Sequence, residues 1–249
     1  MTQPDHQVAI IGASFGGIAT AHLLQEKGIT DFVILDRGAD FGGTWRDNHY
    51  PGLAVDIPTL WYQLSFAPKT DWTRLFAPGP EIHRYLRDTA ATLGLYDHLR
   101  ANCEVLRQEW DAAAGLWRLR LGDGRWMTAR FLISSVGGYV NAKDTVGIAG
   151  LDEFTGTILR PNAWDDSIDC RGKRIAVIGT GSSGVQISAA LSEHAANLDV
   201  YQRTPAWVLP KIDFDFGPGM RRLLRLPGVL CAVNAAGRLA MDAFMIAPI

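Results

Sequence analysis

The chain has 249 residues, of which 47% are hydrophobic, and it carries 24 lysines and arginines against 26 aspartates and glutamates. This composition indicates a globular protein of one large or two modest domains and excludes disordered, collagen-like and low-complexity chains. Because the net charge of −2 provides no basic face, we expect neither a nucleic-acid partner nor an anionic membrane partner.

Compartment and metal content follow from the cysteines, the histidines and the apolar runs. Cys103, Cys170 and Cys231 lie far apart and form neither a CxxC pair nor a disulfide framework, which favours a reducing compartment. His22, His83 and His98 lack carboxylate or cysteine neighbours at ligand spacing, so no metal site is predicted. No signal peptide is recognisable, and no apolar run approaches the ~18 residues of a membrane span. We therefore expect a cytoplasmic protein, whose oligomeric state the sequence leaves open.

The N-terminal segment has the order of a dinucleotide-binding βαβ unit. An apolar run at 8–11 ends in Gly12-Ala-Ser-Phe-Gly-Gly17, a helical pattern continues to Gly28, and a second apolar run at 32–35 stops at Asp36. In such units the glycines allow a tight turn and a close approach of the backbone to a pyrophosphate, which binds at the helix N-terminus.

The same order returns in the second half of the chain. An apolar run at 175–178 ends in Gly179-Thr-Gly-Ser-Ser-Gly184, and a helical stretch and a strand at 198–201 follow. Asp36 and Arg203 stand at the same spacing from the first glycine of their loops. A carboxylate there accepts hydrogen bonds from ribose hydroxyls, whereas a guanidinium pairs with a 2′-phosphate. The first unit is thus interpreted as an FAD or NAD site and the second as an NADP site.

Between the two units the pattern changes to a helix and short strands. A helix is predicted at 81–93, an antiparallel meander at 103–110, 116–121 and 125–129, and a separate strand at 131–135. The predicted fold is α/β, with two Rossmann-like dinucleotide-binding domains and a small β-meander. We expect residues 1–145 to form the first domain, 146–171 a linker and 172–249 a second, incomplete domain, since no further strand-glycine-helix unit follows Arg203.

Several motifs in order carry a resemblance to one family. The stretch from Gly42 to Gly52, GGTWRDNHYPG, is followed by Asp56, Tyr62 and Ser65-Phe66. It resembles the GGTW…N.YPG…D…Y..SF segment of class B flavoprotein monooxygenases, the group of the Baeyer-Villiger monooxygenases. Residues 172–186 and 202–207 resemble the NADPH-binding part of the same family.

The resemblance implies FAD in the first unit, NADPH in the second, and insertion of one oxygen of O₂ into an organic substrate, most readily a ketone. Asp56 would be the catalytic residue and would also contact the cofactor. The other FAD-binding residues would be Gly12, Ser14, Phe15, Gly16, Gly17, Asp36, Arg37, Gly43, Thr44, Trp45, Arg46, Tyr62 and Val105. The residues that bind NADPH would be Gly179, Thr180, Gly181, Ser182, Ser183, Gly184, Gln186, Arg203 and Thr204.

Two departures from the family pattern leave alternatives open. The linker fingerprint FxGxxxHxxxW stands here as Phe154, Gly156, Arg160 and Trp164, with Arg160 in place of the histidine. The later segment that supplies an active-site arginine in the family has no counterpart in the recognised motifs. One alternative is oxygenation of a nitrogen or sulfur nucleophile, which the resemblance also implies because relatives with the same paired nucleotide sites carry it out. The other is a nucleotide-binding fragment that by itself transfers no oxygen.

Overall fold

The structure, a computed structural model, describes residues 3–138, 147–204 and 211–246. The described strands are β1 His6–Ile11, β2 Phe32–Leu35, β3 Leu99–Arg100, β4 Val105–Asp111, β5 Leu116–Leu121, β6 Trp126–Ser134, β7 Arg174–Ile178 and β8 Asn197–Tyr201. The α-helices are α1 Phe15–Glu26, α2 Thr44–Asp47, α3 Gly79–Thr92, α4 Ser182–Ser192, α5 Pro218–Leu224 and α6 Val229–Ile246.

These elements divide into two compact units. The first contains the chain up to Tyr50 together with Ile82–Ser167, and the second contains Pro51–Glu81 together with the chain from Ile168 onward. The segment 51–81 thus belongs with the second glycine loop, although it precedes most of the first unit in sequence. The domain and linker boundaries drawn from the sequence stay predictions, and the one at residue 145 lies outside the described residues.

The first unit is built on a six-stranded sheet in the order β3-β2-β1-β6-β5-β4. Strands β3, β2, β1 and β6 run parallel, while β5 and β4 are antiparallel neighbours of β6. Strand β2 lies between β1 and β3 and is an uninterrupted run of buried apolar residues, as expected for a strand that is covered on both faces. One hydrophobic cluster joins the parallel strands to the meander; its buried members are Ala9, Val33, Leu35, Leu119, Leu121, Met127 and Ala129.

One strand departs from the sequence-based prediction. The meander strand at 125–129 and the separate strand at 131–135 form a single strand, β6. Its first half pairs antiparallel with β5 and its second half pairs parallel with β1, so that Ala129 has a partner on both sides. The strand therefore connects the meander to the parallel sheet without a break.

The second unit contains the other βαβ unit and the segment 51–81. Strands β7 and β8 pair in parallel, with Ile178 opposite Tyr201. Within the segment, buried Thr59 donates its hydroxyl to the Leu75 carbonyl at 2.7 Å and accepts the Ala77 N–H at 2.7 Å. The chain after β8 returns to this segment, where Phe216 N–H donates to the Thr73 carbonyl at 2.8 Å.

The α/β class with two dinucleotide-binding units and a β-meander is therefore confirmed. Helices α5 and α6 follow one another near the end of the described chain. Gly228, which lies between them, has a positive φ of 81°. In the described part of the chain, none of the helices is both long enough and apolar enough to span a membrane.

Candidate functional site

The first glycine loop is shaped by two close backbone approaches. Gly12 has φ 107°, and a Cβ on it would lie 2.5 Å from the carbonyl oxygen of Ser135. A Cβ on Gly17 would lie 2.0 Å from the carbonyl oxygen of Gly12. Helix α1 therefore begins directly against the end of β1, and its cap residue Ser14 makes no side-chain capping hydrogen bond. The N–H groups of the first helical turn are left to interact with an anion.

Ser14 stands where the second glycine loop has Gly181, and its side chain holds a second glycine-rich segment in place. Its Oγ donates a hydrogen bond to the Gly42 carbonyl at 2.9 Å, and Gly42 N–H donates to the Ala13 carbonyl at 2.8 Å. Gly43 follows with φ 55°, and a Cβ on it would lie 2.8 Å from Ser14 Cβ. The two glycine-rich segments, 12–17 and 42–43, are thus in direct contact in the same unit.

Asp36 lies at the carboxyl end of β2 with its carboxylate buried. Its Oδ2 accepts the Ala13 N–H at 2.8 Å, and its Oδ1 accepts the Gly38 N–H at 2.8 Å. Both oxygens therefore have protein partners. A carboxylate accepts about four hydrogen bonds, and Arg46, described next, supplies the third. One acceptor position of the carboxylate is therefore unused within the described residues.

Arg46 connects the strand end to the GGTWRD segment. Its Nη1 donates to Asp36 Oδ1 at 3.0 Å and also to the Asp40 carbonyl, while Nε and Nη2 bind the two oxygens of Asp47 at 2.7 and 3.1 Å. Burial acts to lower the pKa of the guanidinium, but the hydrogen bonds and charges of Asp47 and Asp36 outweigh it and raise the pKa. The guanidinium packs on Gly38, where a Cβ would lie 2.0 Å from Cζ.

Sequence reasoning missed Gly38 and the carboxylate of Asp47. An Asp-x-Gly turn after a buried strand signals a carboxylate that accepts the N–H two residues later, and Asp36-Arg37-Gly38 has this pattern. The arginine that covers Gly38 left no comparable signal, because its contact depends on how the segment 42–47 folds back onto β2.

The remaining residues assigned to the first site lie in different surroundings. Trp45 is buried at 9% exposure, and Thr44 accepts a hydrogen bond from Asn48 Nδ2 at its Oγ1, 3.0 Å away. Val105 opens β4 opposite Leu121 and packs half-buried against the hydrophobic cluster. The contacts of these residues with a flavin stay predictions.

An open cavity of about 610 Å³ borders this part of the first unit. Its lining residues are Arg37, Leu99, Arg100, Ala101, Asn102, Cys103, Glu104, Leu121, Gly122, Asp123 and Arg125. Burial, supported by the charge of Asp123, raises the pKa of the Cys103 thiol, so that the thiol is neutral at pH 7. Arg37, which the sequence assigned to the cofactor, lines the cavity. Cys103 and Glu104, which precede the assigned residue Val105, line it as well.

The second glycine loop repeats the construction of the first. Gly179 has φ 106°, and a Cβ on Gly184 would lie 2.3 Å from the Gly179 carbonyl oxygen, so α4 begins directly against the end of β7. Gly181 caps α4 with an ordinary φ of −71°, and a Cβ on it would have no non-neighbouring heavy atom of the described ranges within 4 Å. Unlike Gly184, Gly181 is thus not required by the packing of the protein itself.

Arg203 and Thr204 follow β8 and are exposed. Arg203 makes no ion pair or hydrogen bond with any residue of the described ranges. The guanidinium at the end of β8 is thus exposed, in contrast to the buried carboxylate at the end of β2.

Asp56, Tyr62 and Gln186 lie in the second unit. The amide nitrogen of Gln186 donates to Asp56 Oδ1 at 2.6 Å and to the Ala54 carbonyl at 3.0 Å. Asp56 is exposed and Tyr62 is half-buried. Gln186, assigned to the cofactor from the sequence, thus uses its amide on the chain itself. The place of Asp56 and Tyr62 beside a flavin stays a prediction.

The linker motif lies in the first unit. The Phe154 ring packs on Gly156, where a Cβ would come within 2.6 Å of Cε1, and the Phe154 side chain is otherwise largely exposed. Arg160 forms an antiparallel bridge with Ala163, next to half-buried Trp164.

Two family models match the chain. The flavin-binding monooxygenase-like model matches residues 61–225, and the NAD(P)-binding Rossmann-like domain model matches residues 10–78. A Baeyer-Villiger monooxygenase of Streptomyces coelicolor is 42% identical over 219 residues, which are 88% of this chain and 42% of the relative. A Baeyer-Villiger monooxygenase of Pseudomonas aeruginosa is 39% identical over 219 residues, 88% of this chain and 41% of the relative.

Solved structures show the same fold. A complex of OTEMO with FAD and NADP has a TM-score of 0.84 at 31% identity and covers 94% of this chain and 45% of its own. Cyclohexanone monooxygenase from Rhodococcus sp. Phi1 bound to NADP+ has a TM-score of 0.80 at 28% identity, over 92% of this chain and 43% of its own. The chain spans less than half the length of these relatives.

Removal of the Arg46 guanidinium tests the network around Asp36. In Arg46→Met the buried Asp36 carboxylate loses its cation, and we expect the free energy of unfolding to fall by about 3 kcal/mol. Urea unfolding measures the loss. Arg84→Met, at an exposed position on α3, removes the same charge as a control. An equal, small effect of both changes would contradict the network.

Proposed function

The chain belongs to the flavin-binding monooxygenase-like family, and from this premise we propose that it binds FAD in the first unit and NADP(H) in the second. The reaction proposed for the protein is the insertion of one oxygen atom of O₂ into an organic substrate, a ketone in the first instance. The observation that carries this proposal is the opposite chemistry of the two strand ends. Asp36 is a buried carboxylate near one glycine loop, and Arg203 is an exposed guanidinium near the other.

The residues of the first unit fit a flavin nucleotide. The N–H groups of the first turn of α1 supply an anion site at Gly12–Gly17, and Asp36 has one acceptor position left for a ribose hydroxyl. The same unit has an open cavity lined by Arg37, the residue that follows Asp36. When bound, the flavin supplies the redox chemistry by which O₂ is activated.

The residues of the second unit fit a nucleotide that carries an additional phosphate. Gly179 and Gly181 leave open space at the N-terminus of α4, which favours a pyrophosphate. Arg203 lies exposed at the end of β8, where a guanidinium binds a 2′-phosphate through charge-assisted hydrogen bonds. The solved OTEMO complex contains both FAD and NADP, which supports the same pair of cofactors for this chain.

The compartment is part of the proposal. Cys103, Cys170 and Cys231 are all free thiols, and free thiols persist in a reducing environment. We therefore propose that the protein is cytoplasmic. Its proposed substrates are a small organic molecule and O₂.

The decisive experiment follows cofactor uptake and product formation. The purified chain is incubated with FAD, then with NADPH, O₂ and a set of cyclic and aryl ketones, tertiary amines and thioethers, and the products are analysed by mass. We expect stoichiometric flavin and its bleaching by NADPH. Esters or lactones support ketone oxygenation, while amine oxides or sulfoxides instead support the alternative reaction. Hydrogen peroxide alone identifies a nucleotide-binding fragment, and absence of bound flavin overturns the proposal.

Arg203→Ala tests the choice of nucleotide. Loss of the charge-assisted contact is expected to weaken NADP+ binding by about 10- to 100-fold and to leave NAD+ binding unchanged. Calorimetric titration with both nucleotides measures the ratio. Arg174→Ala removes an exposed arginine at the other end of the β7–β8 pair and serves as a control. An unchanged ratio in Arg203→Ala would refute the assignment.

Substitutions at two glycines of the second loop distinguish an effect on folding stability from an effect on nucleotide binding. Gly184→Ala places a Cβ 2.3 Å from a carbonyl oxygen, so we expect a loss of folding stability of about 1–3 kcal/mol or more. Gly181→Ala meets no atom within 4 Å, and we expect an unchanged thermal midpoint together with about tenfold weaker NADP+ binding, because the methyl group occupies the approach of the pyrophosphate. Normal nucleotide binding by Gly181→Ala would place the phosphates elsewhere.

A further inference from the structure

Gln186 lies on the second helical turn of α4 and directs its amide at the segment that carries Asp56. Both groups that its amide nitrogen contacts, the Ala54 carbonyl and the Asp56 carboxylate, are acceptors. Only the NH₂ end of the glutamine side chain can satisfy them, since the other end is itself an acceptor. The two N–H bonds of one amide therefore bind the backbone before Asp56 and the side chain of Asp56.

The backbone of the same segment packs along α4. Gly52 has φ 82°, and a Cβ on it would lie 2.6 Å from the Gln186 carbonyl oxygen and 3.1 Å from Ala190 Cβ. The chain thus passes two successive turns of α4 at a distance that only glycine allows. This close approach brings Ala54 and Asp56 within reach of the Gln186 side chain.

The other side of the segment is held by the strand-like stretch that follows it. Val55, 1% exposed, donates its N–H to the Ala77 carbonyl at 3.1 Å, and Gly79 N–H donates to the Leu53 carbonyl at 2.8 Å. The backbone that precedes Asp56 is therefore fixed at Leu53 and at Val55. Within the described ranges, Oδ1 of Asp56 accepts the Gln186 bond, and Oδ2 accepts none.

We propose that Gln186 is a positioning residue for Asp56. It anchors one carboxylate oxygen to the helix whose N-terminus receives the nucleotide phosphates and leaves the other oxygen available to a ligand. This inference rests on the proposed function. If α4 binds the nucleotide, the hydrogen bond from Gln186 keeps Asp56 at a constant distance from that nucleotide. Gln186 then acts through Asp56 and is not itself a ligand of the cofactor.

The first test measures amide hydrogen exchange at Val55 in the cofactor-free chain, as a probe of the hydrogen bonds that Gln186 donates to Ala54 and Asp56. In Gln186→Glu no donor faces Ala54 and Asp56, so we expect Val55 to exchange about fivefold faster. Gln186→Met removes the donor without adding charge and should give a smaller increase. The double variant Gln186→Glu with Asp56→Asn exchanges donor and acceptor and should recover part of the protection.

A matched control is available in the same unit. Asn197 Nδ2 donates to Asp199 Oδ2 at 2.8 Å on β8, so Asn197→Asp makes the same chemical change in an exposed pair. It should leave Val55 exchange unaltered. Unchanged exchange in Gln186→Glu and Gln186→Met, or equal acceleration in Asn197→Asp, overturns the positioning role.

The second test reads the consequence in the chain loaded with FAD. We expect Gln186→Met to slow flavin reduction by NADPH about tenfold, as a displaced catalytic group does, with less than a twofold change in the NADP+ dissociation constant. A loss confined to NADP+ affinity would make Gln186 a nucleotide ligand and overturn the proposal. If the chain takes up no flavin, the proposed function fails, while Val55 exchange still decides whether Gln186 holds Asp56.

Discussion

The close contact between a helix and the strand that precedes it is the constraint on which both nucleotide units depend. At Gly17 and at Gly184 a side chain would lie within 2.3 Å of the carbonyl oxygen five residues earlier. The helix can therefore begin at the edge of the sheet only if this position is glycine. This arrangement presents the N–H groups of the first helical turn at the end of the sheet, where the residues that follow β2 and β8 are also located.

From this common construction the two units diverge in their electrostatics. In the first, Asp36 and Arg46 neutralise each other below the surface, and hydrogen bonds from Ala13 and Gly38 complete the network. A buried ion pair of this kind contributes little net stability but strongly disfavours the loss of either partner, so it maintains one geometry at the strand end. In the second unit Arg203 remains solvated and without a partner in the described ranges. One strand end is preorganised by a buried ion pair, and the other carries an exposed charge.

The segment 51–81 shows how a stretch without regular secondary structure becomes rigid. Thr59, fully buried, supplies both a donor and an acceptor to the stretch 75–77, and residues 73–75 exchange backbone hydrogen bonds with residues 214–216. Arg74 adds an ion pair with Asp213 at 2.8 Å. These long-range contacts replace the regular ladder of a sheet and satisfy the polar groups that burial would otherwise leave unpaired. Asp56 is held in place by this framework and by α4.

Local patterns in the sequence were sufficient for the α/β class, the two glycine loops and most element positions. Apolar periodicity and glycine spacing are properties of residues close in the chain, and they identified β1, β2 and the end of α1 to within two residues. The continuity of β6 was not visible in this way. Its two halves have different partner strands, and pairing is decided by elements distant in sequence.

The sequence by itself also determined which residue types end the second strand of each unit, and hence the contrast between Asp36 and Arg203. Only the tertiary structure decided what these and other candidate residues contact. It assigned the Ser14 hydroxyl to Gly42, the Arg46 guanidinium to Asp36 and the Gln186 amide to Asp56, a residue 130 positions away in the chain. The physical reason is that a hydrogen bond depends on distance and direction in space, which packing imposes after the local elements have formed.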